Sequence, residues 1–63
     1  MNIKYFKDTD TALLEFSGHS VDETREVSQN VIVDLDKDGN IVRMTIEHAA
    51  EFASFPQVNL EQI

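Results

Sequence analysis

Val31 to Ile46, VIVDLDKDGNIVRMTI, is the stretch that decides the fold of this chain. Val31, Ile32 and Val33 are β-branched, and so are Ile41, Val42, Thr45 and Ile46. Such side chains are stiff about χ1 and suit a pleated, half-buried surface better than a helix. Asp36-Lys37-Asp38-Gly39-Asn40 separates the two runs. Glycine takes positive φ without steric cost, and asparagine tolerates it better than most residues. The pattern predicts a β-hairpin whose loop is a little longer than two residues, with Gly39 in a left-handed position.

The same residues carry a sharper motif. Asp34-x-Asp36-x-Asp38-Gly39 repeats the opening of an EF-hand calcium loop, and Ile41 falls where that loop carries an aliphatic residue. Thr45 stands where the bidentate glutamate belongs, and the flanks are strand-like rather than helical. Asp34, Asp36 and Asp38 are therefore weak cation candidates, with Asp34 and Asp36 expected on one face of a strand. The plainer reading is an acidic turn that keeps the hairpin soluble.

Working outward, NIKYFK at 2–7 and TALLEF at 11–16 read as two strands joined by the polar turn Asp8-Thr9-Asp10. Ala12, Leu14 and Phe16 alternate with Leu13 and Glu15, so opposite faces receive them. A link this short makes antiparallel pairing natural. Ser17-Gly18-His19-Ser20 breaks the chain, and VDETREVS at 21–28 reads as a charged edge strand. HAAEFASF at 48–55 shifts to helical spacing, with Ala49, Phe52 and Ala53 at i, i+3 and i+4. Pro56 ends it, and 56–63 forms a tail containing Val58, Leu60 and Ile63.

The fold expected for residues 1–63 is thus a single α+β domain. Residues 1–47 form a small antiparallel β-meander of four or five strands, and one short C-terminal helix packs on it. A helix of one or two turns cannot cover both faces of such a sheet, yet both faces carry apolar side chains. Leu13 opposes Leu14, Ile32 opposes Val31 and Val33, and Val42, Met44 and Ile46 oppose Ile41. A chain of 63 residues is marginal as a lone domain. Without cysteine it has no disulfide or thiolate metal site to compensate. Self-association into a homodimer is the expected remedy, with Leu13, Ile32, Val42, Met44, Val58 and Leu60 as interface candidates.

Twelve acidic residues against five basic ones leave a formal charge of −7. That charge repels phosphate backbones and anionic membranes, so neither nucleic acid nor membrane is expected as a partner, whereas a basic protein is. No apolar run reaches membrane-spanning length, and MNIKYFKDTD has no signal-peptide hydrophobic region. A cytoplasmic protein without a cofactor is expected.

VDETREVSQNVIVDLDKDGNIVRMTIEHA resembles a small bacterial family known as domain of unknown function 2283. Thr24-Arg25-Glu26-Val27, the Asp34–Asn40 hairpin and Ile41 to Ala49 carry the likeness, and YFKDTDTALLEF resembles the family's opening strands. Together they span roughly residues 3 to 50. Arg43-Met44-Thr45-Ile46 stands where members usually carry Gly-Ile-Glu-Ile. The resemblance implies a compact β-rich fold with a short helix. It implies no assigned activity, but it suggests an antitoxin-like role beside a small basic protein.

An enzyme is the alternative. His19 and His48 are the side chains suited to acid–base work near neutral pH. His19 lies beside Ser17 and Ser20, and His48 has Glu51 at i+3. A small metal-dependent or hydrolytic enzyme would bring both histidines to the Asp34/Asp36/Asp38 cluster across a subunit interface, with His48 as a further weak metal candidate. Loop geometry at His19 and a solvated helix start at His48 are the plainer readings. Arg25, set among Asp22, Glu23 and Glu26, is expected to pair across strands.

Overall fold

The computed structural model describes residues 1–53, 56–57 and 60–62. Five strands form one antiparallel sheet: β1 Asn2–Phe6, β2 Thr11–Glu15, β3 Glu23–Ser28, β4 Val31–Leu35 and β5 Ile41–Glu47. One short helix, α1, follows at Ala49–Ala53. It lies inside the expected 48–55; residues 54 and 55 fall outside the described ones. The described residues of the tail form neither strand nor helix.

The strands do not run as a sequential meander. Their order is β1-β2-β5-β4-β3. The β1–β2 hairpin and the β3–β4–β5 unit are each built from chain neighbours, but β2 pairs with β5. Residues 16–22 carry the chain to the far edge, a Greek-key connection. Seven extended residues reach about 23 Å, while β2 and β3 lie three strand spacings apart, about 14 Å. The segment follows the sheet end closely. The Phe16 and Ser17 amides donate to the Val42 carbonyl (2.8 and 3.2 Å), and the Asp22 amide donates to Leu35 (2.8 Å).

At the β4–β5 turn the Asp36 amide donates to the Asn40 carbonyl (2.9 Å), and Gly39 donates to Asp36 (3.1 Å). Gly39 has φ 84°, as its place in the turn demands. Each of two bulges inserts one residue: Val27 in β3 and Val42 in β5.

The register sorts the side chains into two unlike faces. One face holds the rows Ile3–Leu14–Met44–Val33 and Tyr5–Ala12–Ile46–Val31. The other holds Asn2–Glu15–Arg43–Asp34–Thr24 and Lys4–Leu13–Thr45–Ile32–Glu26. The first is apolar. The second is polar, its apolar members being Leu13, Ile32 and Phe6. The buried hydrophobic residues are Ala12, Val33, Val42 and Ala49, and no large side chain among the described residues is fully buried.

Asp10 joins the apolar face to α1. Tyr5, opposite Ala12, donates its hydroxyl to Asp10 Oδ1 (2.6 Å). The Asp10 carbonyl accepts the Ala49 amide (2.9 Å), and Asp10 Oδ1 accepts the Ala50 amide (3.1 Å). These amides open α1 and have no partner within it, so a residue 40 positions upstream caps the helix. Asp10 (φ 53°) and His48 (φ 55°) both take left-handed backbone. Tyr5 ionisation would break its hydrogen bond and set a phenolate beside a carboxylate. The Asp10 hydrogen bond first, then desolvation and the Asp10 charge, accordingly raise its pKa.

The raised value gives a clean prediction, because Tyr5 is the sole tyrosine. Ultraviolet titration should show a midpoint above the ordinary value near 10.0, and Asp10→Ala should move it back. Tyr5 contributes stability that is complete below its unfolded pKa and lost as pH rises through the folded one.

Candidate functional site

The chemistry-bearing residues gather where the β4–β5 turn meets the segment crossing from β2 to β3. Asp36 is the centre. Its Oδ1 accepts the amides of Asp38 and Asn40 (both 2.9 Å). Its Oδ2 lies 3.2 Å from His19 Nδ1. The Asn40 amide first, then His19 and the Asp38 amide, hold the Asp36 carboxyl below the usual carboxylate range, against the opposing effect of burial. Asp36 is 7% exposed, whereas the His19 side chain is 71% exposed. A buried, amide-held carboxylate thus orients an exposed imidazole over an open cavity of about 580 Å³ that Asp22, Lys37 and Asp38 also line.

The enzyme alternative has His19 approach these aspartates across a subunit interface; the pair instead forms within one chain, between residues 17 positions apart. The signal lay in the crossing segment: a chain that must pass the end of β4 brings Ser17-Gly18-His19-Ser20 against the turn. Asp–imidazole pairing of this kind fixes ring orientation and can support proton transfer. A nucleophile or substrate anchor would have to join it. Ser17 Oγ instead accepts the His19 backbone amide (3.4 Å).

The remaining candidates are dispersed. Asp34 leaves the turn and sits on the polar face, accepting the Thr24 hydroxyl at Oδ1 (2.6 Å) and Arg43 Nε at Oδ2 (2.5 Å). The Thr24 hydroxyl first, then Arg43, hold its pKa below the ordinary value. Asp34 and Asp36 are therefore engaged separately, one by side chains of β3 and β5, the other by turn amides. Asp38 is exposed. His48 is exposed beyond the end of β5 opposite to the Asp36 turn, so the two histidines are not brought together. Among the described residues no group of three or more His, Cys, Asp or Glu could hold a metal ion. Arg25 pairs with Glu23 of its own strand rather than across strands, because residues two apart share a face.

The interface candidates divide between the faces. Met44 lies in the apolar rows, and Val42 is buried. Leu13 and Ile32 flank Thr45 on the polar face. Leu60 is exposed, and Val58 lies outside the described residues. Among the described residues no helix is long and apolar enough to cross a membrane.

The fold is thus a small α+β protein built on one antiparallel sheet with a Greek-key crossing. The chain belongs to the family described as Protein of unknown function (DUF2283), which matches residues 2–49. No curated protein and no solved structure matches it.

Proposed function

We propose that this protein is a small acidic protein-interaction module that works as a homodimer in the cytoplasm and offers its outer acidic surface to a basic protein, in an antitoxin-like role. The observation behind the reading is the thinness of the core. An apolar sheet face of ten or so side chains leaves Leu14, Val31, Leu35, Met44 and Ile46 only half-buried. A lone sheet needs packing on that face for independent stability. The net charge of −7 supports the choice of a basic partner, since opposite charge speeds encounter and disfavours wrong partners.

Equilibrium sedimentation over a concentration series tests self-association. The expected mass is twice that of the 7.2 kDa chain. A single-chain mass at every concentration would overturn the reading.

A further inference from the structure

We propose that Asp38 is a site of spontaneous covalent modification: its peptide bond to Gly39 rearranges in the folded protein to an isoaspartyl linkage, and the rearrangement releases Asp36 and with it His19.

The sequence and the turn together single out this residue. Asp38-Gly39 is the one place in the chain where an aspartate or asparagine precedes glycine. The other aspartates precede Thr, Glu, Leu or Lys, and every asparagine precedes Ile, Val or Leu. A side chain on the following residue crowds its amide nitrogen and restricts its backbone; glycine does neither. Asp38 and Gly39 are both exposed, and a Cβ built on Gly39 would meet nothing within 4 Å. A ring and an incoming water both have room. Asp34 and Asp36 are buried, and the Asp10 carboxylate is held by Tyr5 and Ala50. Among the described residues Asp38 is bonded through its amide alone, so its side chain is free to turn back on the Gly39 nitrogen. That nitrogen donates to the Asp36 carbonyl at 3.1 Å, the longest of the turn's hydrogen bonds.

The Gly39 nitrogen attacks Cγ of the neutral Asp38 carboxyl. A C–N bond forms, the nitrogen gives up its proton, and one carboxyl oxygen leaves as water, closing a five-membered succinimide. Water then adds to either ring carbonyl. Addition at Cγ restores aspartate. Addition at the former backbone carbonyl breaks its bond to nitrogen and leaves Gly39 joined through Cγ. The water lost is regained, so the mass is unchanged and no oxidant or reductant takes part.

The new linkage adds a methylene to the main chain between Asp38 and Gly39. Asp36 Oδ1 accepts the amides of Asp38 and Asn40, one on each side of that bond (both 2.9 Å). A lengthened chain cannot present both. The carboxylate that meets His19 at 3.2 Å therefore loses its support.

The folded chain is aged for weeks at physiological temperature in mildly acidic buffer, with a urea-unfolded sample beside it. Isoaspartate is detected by methyl transfer from S-adenosylmethionine with an isoaspartyl methyltransferase and placed by peptide mass spectrometry. The folded protein should accept methyl groups at residue 38. Asp38→Glu, whose longer side chain closes no five-membered ring, should lose the signal. Isoaspartate at 38 in the unfolded sample alone, or mainly at another residue of the folded chain, would overturn the site. In the isomerised chain, separated by chromatography, the Asn40 amide should exchange with solvent about tenfold faster, the change that losing one net hydrogen bond implies. An Asn40 exchange rate equal to that of the parent would refute the release of Asp36.

Discussion

Asp34→Ala is expected to lower the unfolding free energy by about 2 kcal/mol, the loss of two hydrogen bonds to a charged acceptor after partial recovery by water. The carboxylate accepts from Thr24 and Arg43, which lie on β3 and β5 on either side of it. It thereby ties three strands across the polar face of the sheet. The Arg43 side chain is 44% exposed, so its freed guanidinium is resolvated and the loss stays well below that of a fully buried pair. A domain of this size has a total stability of about 3–9 kcal/mol. The loss is therefore a large fraction of the whole and should lower Tm by roughly 10 °C. Asp34→Asn keeps an acceptor for Thr24 and should fall between parent and Ala. Urea unfolding followed by circular dichroism measures the series, and a change under 0.5 kcal/mol for Ala would refute the account. The pH dependence has a definite sign. The folded pKa is depressed, so the contribution is present above the ordinary carboxylate value and is lost as pH falls through the folded one. Asp34→Ala should therefore flatten the acid limb of the stability curve.

The second large effect is expected at Asp10. Asp10→Ala removes the acceptor for the Tyr5 hydroxyl and the Ala50 amide. It also forces alanine to hold a φ of 53°. Losing a helix cap costs about 1 kcal/mol, and left-handed backbone in a residue with a Cβ costs roughly another. The sum is about 2 kcal/mol. The two causes separate by substitution. Asp10→Gly loses the cap but adopts the backbone freely, so it should be about 1 kcal/mol more stable than Asp10→Ala. Asp10→Asn keeps both features in weakened form and should be the mildest of the three. Thermal unfolding of the set is decisive: an alanine variant as stable as the glycine variant would show that the backbone conformation carries no cost.

All five strands were legible because local chemistry specifies each. β-Branched runs, Asp-Thr-Asp and Asp-Gly turn residues and the charged Thr24-Arg25-Glu26 strand all act over a few positions. The pairing of β2 with β5 was not legible, since local rules favour neighbours in sequence and the crossing at 16–22 is short. The missed pairing also hid the route by which His19 and Asp10 find their partners within one chain. His19 meets Asp36 only because the segment passes the end of β4, and Asp10 meets α1 only because β2 and β5 end together at Thr11 and Glu47. Alternation correctly separated Leu13 from Leu14 and Ile32 from Val33. It could not say that Met44 shares a face with Leu14 and Val33. That needs the register between strands, which no strand contains by itself.

The strand order also shapes how the chain folds. The β1–β2 hairpin and the β3–β4–β5 unit each close over short loops and can form early, on the timescale of hairpins. Joining them through β2 and β5 brings residues 11–15 against 43–47, the strand pairing of greatest sequence separation among the described residues. Closing that loop is the entropically costly event and the natural bottleneck. Until it happens, each half carries an unpaired strand edge at β2 or β5, both of them interior in the finished sheet. The interval before docking is therefore when this protein is most exposed to wrong pairing with its neighbours.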